Sequence, residues 1–193
     1  PRVKPPFGAA EVNWSHPLSD RLRMLYLCNE GGGITLTDQA KRSGGTFVGT
    51  SSNLFWTRGR GGIAVDFSGS GTTYISPLNP PTFGSTPLTF VVLAIPRNAV
   101  SVHHAMFGGS SADCAEFRIN TLTRVLNFLE CGIANLGTSS GLAVLNTLNF
   151  LAVTYATPAG IFYINGALDS TFSTAGSFSA ANNQVGSATA VGD

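Results

Sequence analysis

Beyond its first residues the chain repeats one unit, an apolar or alternating run of five to eight residues followed by a cluster of Gly, Ser, Asn or Pro. Alternation with a period of two puts every second side chain on one face of an extended segment, and the clusters supply turns. This pattern predicts strands at 24–29, 45–49, 62–68, 73–76, 88–96, 104–107, 116–120, 125–130, 142–145, 150–155 and 161–164, with a weaker one near Thr171. No run keeps helical periodicity over two turns, so the expected fold is all-β, a two-sheet antiparallel jelly-roll sandwich. In 88–96, Val91, Leu93 and Ile95 alternate with Phe90, Val92 and Ala94, so both faces are apolar and a central position in a sheet is expected. Residues 1–17 carry four prolines and no apolar periodicity, and read as an extended N-terminal arm ahead of a single sandwich domain over 18–193.

One hairpin can be placed in register. If 113–130 turns about Leu122-Thr123, facing positions sum to 245. Phe117 then pairs with Phe128 and Ile119 with Leu126 on one face, and Arg118 pairs with Asn127 on the other. The same register sets Cys114 across from Cys131. Either a cross-strand disulfide or two reduced, partly buried thiols satisfies it; buried free cysteine is common, and the reduced pair is the expectation. Three cysteines so far apart do not build a zinc site.

Composition narrows the function classes. Hydrophobic residues make up 43% and charged residues 11% of the chain, which excludes disorder driven by charge repulsion. A net charge of +1 supplies no concentrated positive field, so nucleic acid is not an expected partner. The longest apolar run, Phe90 to Ile95, is far short of the roughly 20 residues of a membrane-spanning helix, and no membrane insertion is expected. The start at Pro1-Arg2-Val3-Lys4 shows no signal-peptide core, and leaves export neither shown nor excluded.

Several fragments, taken in order, resemble the laminin-G-like, concanavalin-A-like jelly roll of bacterial and bacteriophage surface proteins. They are Asn13-Trp14-Ser15-His16-Pro17-Leu18, Leu25-Tyr26-Leu27-Cys28-Asn29-Glu30 with Gly31-Gly32-Gly33 and Asp38, Trp56 before a Gly-rich turn, and Gly62-Ile63-Ala64-Val65-Asp66-Phe67 leading to Tyr74-Ile75. Pro87-Leu88-Thr89-Phe90, Phe150-Leu151-Ala152-Val153-Thr154-Tyr155 and Phe162-Tyr163-Ile164-Asn165-Gly166-Ala167-Leu168 continue the match, which spans about residues 5–187. Asn165-Gly166 also has a physical reading of its own, because both residues tolerate the positive φ of a tight hairpin turn. The resemblance implies a further closing strand that this chain lacks after Val191-Gly192-Asp193. An incomplete sheet exposes backbone donors and acceptors to another chain. The leading expectation is therefore a non-catalytic virion-surface or extracellular module, decorating a capsid or building a fibre by pairing with copies of itself or with other surface proteins. A glycan-binding adhesin is the alternative, and a polysaccharide-degrading enzyme the second alternative.

Candidate chemistry follows from residue types. Glycoside hydrolysis needs two carboxylates on one cleft, and no two of the ten acids lie at alternate positions of one strand; Glu116 and Glu130 fall on opposite faces of the hairpin. The acid-rich alternating strand of jelly-roll endoglucanases has no counterpart here. His103 and His104 are adjacent and diverge on a strand, and His16 is distant, so no chelate is expected. No cofactor is expected, apart from calcium, the metal that the resemblance implies; Glu30, Asp38, Asp66 and Asp113 are its candidate donors. Sugar binding needs an exposed flat aromatic ring beside planar polar groups, and the candidates are Trp14, Trp56, Asn53, Arg58 and Arg60, with Trp56 more readily read as a core plug.

Overall fold

The computed structural model describes residues 12–19, 21–28, 30, 32–40, 44–48, 54–59, 62–67, 74–84, 87–97, 103–108, 112–120, 122–179 and 184–187. Fourteen strands form among these residues, in chain order β1 (Thr35–Leu36), β2 (Gly45–Val48), β3 (Leu54–Gly59), β4 (Gly62–Phe67), β5 (Tyr74–Pro77), β6 (Leu88–Ala94) and β7 (His103–Gly108). The second half supplies β8 (Ala115–Asn120), β9 (Leu126–Glu130), β10 (Ala134–Thr138), β11 (Asn149–Ala156), β12 (Ala159–Ile164), β13 (Ala167–Ser173) and β14 (Gln184–Ser187). All pairings are antiparallel. An eight-stranded sheet runs β1-β2-β5-β14-β7-β8-β9-β10, a four-stranded sheet runs β13-β12-β11-β6, and β3 pairs with β4. Among the described residues the single helical element is the turn Pro17–Ser19 in 3-10 geometry, and no described helix is long and apolar enough to cross a membrane.

The core forms where the two larger sheets face each other. Phe117, Ile119, Leu126 and Phe128 from the large sheet meet Phe90, Leu151, Val153, Tyr155 and Phe162 from the small one. Each strand delivers its apolar set to one side because side chains alternate. Phe128 touches Phe90, Tyr155, Phe172 and Phe178 at ring-centroid distances of 6.1, 5.3, 6.0 and 5.6 Å. A buried Phe contributes up to about 3 kcal/mol by transfer from water. The β3–β4 hairpin covers the other half of the large sheet. Its Trp56 ring meets Phe47 of β2 edge-on at 5.5 Å, and its Phe67 ring lies against Gly186 of β14, where an added Cβ would overlap it.

The hairpin register holds, with Phe117 opposite Phe128, Arg118 opposite Asn127 and Ile119 opposite Leu126. Of the two cysteine states, the structure takes the bonded one: Cys114 and Cys131 form a disulfide with Cα atoms 5.1 Å apart, which corrects the expected free thiols. The Asn165-Gly166 turn also forms, with φ of 53° and 82°, and the Asn165 Oδ1 accepts from the Phe150 N–H at 2.9 Å.

Four expectations change. An unexpected strand forms near the C-terminus: β14 sits between β5 and β7 with Val185 opposite both Ile75 and Phe107, while the residues after Ser187 lie outside the described ones. Among the described residues the apolar strand β6 is not central: its one hydrogen-bonded neighbour there is β11, and an Arg97–Asp66 ion pair of 2.7 Å ties its far end to β4. Segment 24–29 makes one bridge, Tyr26 to Asp38, in place of a strand. Segment 142–145 is irregular, because the Val144 N–H donates to the Asn149 side chain at 3.1 Å and not to a strand. The proline-rich arm falls largely outside the described residues; of its last part, 12–17, Asn13 to His16 form a turn closed by the His16 N–H donating to the Asn13 carbonyl.

Candidate functional site

The face of the eight-stranded sheet turned away from the core carries the main polar constellation. Since Phe117 and Ile119 point inward from β8, Glu116, Arg118 and Asn120 point outward. On β9 the same rule sends Asn127 and Leu129 outward, and the register joins Asn127 to Thr138 and Leu129 to Asn135 on β10. A bulge between Asn135 and Gly137 shifts β10 by one residue and thereby brings both Asn135 and Thr138 to this side. Two rows result. One runs Ala105, Arg118, Asn127, Thr138 across four strands, and the other places Glu116, Leu129 and Asn135 beside the side-chain-free Gly108.

The rows grade from buried to exposed. Glu116, Arg118 and Asn127 are buried, while Asn135 and Thr138 stand in solvent at the sheet edge. The Arg118 Nη1 lies 3.5 Å from Glu116 Oε1, so the two charges offset one another within the face. Glu116 Oε2 also approaches Cys131 Sγ to 3.6 Å; a disulfide sulfur has no proton to donate, so this is a packing contact. The Asn127 and Asn135 side-chain amides both donate to Thr138 Oγ1, at 2.9 and 3.0 Å. With its oxygen accepting twice, the Thr138 hydroxyl has its own hydrogen left to donate outward, while the two Asn carbonyl oxygens offer acceptors. This is a set of planar amides and a hydroxyl at sheet spacing, suited to a ligand rich in hydroxyl groups. Asn120 does not belong to it: its Oδ1 accepts from the Leu122 and Thr123 N–H groups and shapes the β8–β9 turn.

The residues singled out from sequence occupy other places. Trp14 is exposed on the turn after Asn13. Trp56 is half-buried and lies outside the buried core, its ring edge-on to Phe47 and its Nε1 donating to the Gly33 carbonyl at 3.1 Å. Arg58 lies on β3 opposite Ile63, and Asn53 and Arg60 lie outside the described residues. Asp38 is buried, and its Oδ1 accepts from the Leu25 and Ala40 N–H groups. Glu30 accepts from the Thr37 N–H, Asp66 pairs with Arg97, and Asp113 accepts from the Ser179 hydroxyl. Each of these four carboxylates thus holds a loop or strand in place, and among the described residues no three His, Cys, Asp or Glu side chains gather as a metal site.

Two further acids among the described residues are also committed. Glu130 faces the core side, as the register requires, and accepts from the Ser177 N–H at 3.2 Å. Asp169 accepts from the Ser140 and Gly141 N–H groups. Burial, with the Glu30 charge adding to it, pushes the Cys28 thiol up to about 11. Sequence reasoning had Arg118 opposite Asn127 but did not extend the row, because nothing in 134–138 announced a strand.

No protein-family profile and no curated protein sequence matches the chain. Among solved structures, it is similar to a Trypanosoma rangeli sialidase bound to sialic acid, with a TM-score of 0.54 and 13% identity over 83% of this chain. The match covers 26% of the sialidase, about a quarter of its length. A carbohydrate binding module from Bacillus subtilis aligns with a TM-score of 0.47 and 10% identity, over 74% of this chain and 84% of that one. A Bacillus licheniformis β-glucanase aligns at 0.40 and 10%, over 78% and 69%. At such identities the likeness is one of fold.

Proposed function

We propose that this chain is a non-catalytic glycan-binding module, with the exposed β10 end of the polar row, at Asn135 and Thr138, as its binding surface. The observation that carries the reading is the Asn127–Thr138–Asn135 network, in which buried Asn127 anchors Thr138 so that the Thr138 hydroxyl and the Asn135 amide are presented at the solvent-exposed end of a polar row. Sugars are recognised by such paired donors and acceptors, and an amide fixed by its neighbour loses little freedom on binding. The shared sandwich fold with a segment of a sialidase is compatible with this role but does not establish it. The non-catalytic part of the reading rests on the carboxylates among the described residues: Glu116 and Glu130 sit on opposite faces of the sheet, and Asp38, Asp66, Asp113, Asp169 and Glu30 serve local structure.

The virion-assembly reading rests on composition, the arm and an open sheet edge. The arm and the residues after Ser187 lie largely outside the described residues, so nothing described supports that reading and glycan binding takes precedence. A glycan array probed with the chain and with Asn127→Ala and Asn135→Ala tests the proposal. Retention of one glycan class by the parent, weakened about tenfold in each variant, supports it, since one lost hydrogen bond is worth about 1 kcal/mol or more when its partner is left buried. Equal retention by all three proteins refutes the placement, and shortening of the glycans during incubation refutes the non-catalytic reading.

A further inference from the structure

The small sheet turns an unusual surface to solvent. Val91, Leu93, Leu148 and Leu168 each leave more than half of their surface in water, and Phe150 more than a third. The register makes them contiguous: Phe150 is opposite Leu93, Ala152 opposite Val91, and Tyr163 opposite both Ala152 and Leu168. The band therefore crosses all four strands. β6, β11 and β12 contain no charged residue, and Asp169 of β13 directs its carboxylate to the Ser140 and Gly141 N–H groups. Scattered exposed leucines need no explanation, but a connected, uncharged band across a whole sheet does.

We propose that this face is where two copies of the chain pair, sheet against sheet, about a two-fold axis. Three features select a second copy over other occupants. Five large apolar side chains, Val91, Leu93, Leu148, Phe150 and Leu168, stand exposed together, the kind of apolar centre that a stable interface of about 800 Å² per partner is built around. A face without charge puts no like charges together when it meets itself, and offers a charged partner nothing to pair with. The surface also carries both a depression and an exposed side chain beside it. Leu93, Leu148, Phe150, Asn165 and Gly166 line an open depression of about 370 Å³, and Leu168 of the same sheet is exposed. Two-fold symmetry lets each copy seat its Leu168 in the depression of the other, because in such an interface every contact occurs twice. This pairing leaves the outer face of β8–β10 on the far side of the large sheet, so the two proposals stand independently.

The test is the mass of the chain in solution by sedimentation equilibrium up to about 100 µM, a range that detects any interface stronger than about 5 kcal/mol. The parent chain is expected at twice the monomer mass at the upper end. Leu93→Glu is expected at the monomer mass with an unchanged far-ultraviolet circular dichroism spectrum, since Leu93 is exposed and its loss leaves the core intact. A mixture of Leu168→Glu and Leu93→Lys chains is expected to regain the doubled mass, with the new charges facing each other. A parent that is monomeric throughout overturns the proposal, whether the face then serves a foreign protein, a lipid or nothing. A Leu93→Glu variant that stays dimeric, or a mixture that stays monomeric, overturns it equally.

Discussion

Replacing Gly160 by Ala adds one methyl group at the point where the layers of the sandwich interlock. The Phe172 ring occupies a slot between Gly137 of β10 and Gly160 of β12, and a Cβ at either glycine would overlap it. The ring cannot simply swing away: it is stacked on Tyr155 at 6.0 Å and 10° between planes, and leans on Phe162 at 5.2 Å and on Phe128 at 6.0 Å. Forcing an extra methyl into a packed interior costs about 1–3 kcal/mol, which for a domain of this size lowers the melting temperature by roughly 3–10 °C. Thermal unfolding followed by near-ultraviolet circular dichroism reads this directly. The cost arises from the ring, so in a Phe172→Leu background the same Gly160→Ala change should be nearly free, and the two substitutions should couple by about 1 kcal/mol or more. A Gly160→Ala protein as stable as the parent, or a penalty that persists unchanged without the ring, refutes this packing.

Removing the disulfide by replacing Cys114 and Cys131 with Ala should cost about 3 kcal/mol, the loop-closure value for a separation of 17 residues, read as a lower denaturant midpoint than that of the oxidised parent. Cys28 should react with iodoacetamide about a hundredfold more slowly than an unhindered thiol at the same pH, because burial holds its proton. Its folded-state value lies above the ordinary 9.0, so the folded protein keeps a proton that the unfolded chain has lost. Stability from this group is full below 9.0 and falls as pH rises towards about 11, and Cys28→Ser should flatten that fall in denaturant titrations at stepped pH.

How far the sequence reaches depends on where each strand's signal lies. The β8–β9 hairpin was legible because its two faces differ sharply, with Phe117, Ile119, Leu126 and Phe128 against Arg118 and Asn127. β14 was not, since Gln184–Ser187 offers one inward apolar side chain, Val185, and becomes a strand because β5 and β7 bond it from both sides. β6 misled in the opposite sense: its second apolar face promised burial but lies open as a surface. The site was only half legible for a similar reason. Arg118 and Asn127 could be paired by counting, but Thr138 and Asn135 reach the same face through a bulge in a strand of low intrinsic preference, Ala134–Thr138, that only the alignment beside β9 creates. Trp56 attracted notice for its chemistry and serves packing, with its ring on Phe47 and its N–H on Gly33.

The central claim is tested most directly by titrating the isotopically labelled chain with an oligosaccharide that it retains on the array, and following the side-chain amides of Asn127 and Asn135 by nuclear magnetic resonance. Saturable shifts of these two amides and of the Thr138 backbone, with the sugar spectrum showing no hydrolysis, are the predicted result. Shifts confined to Phe150, Tyr163 and the small sheet, or release of shorter sugars during the titration, would contradict it.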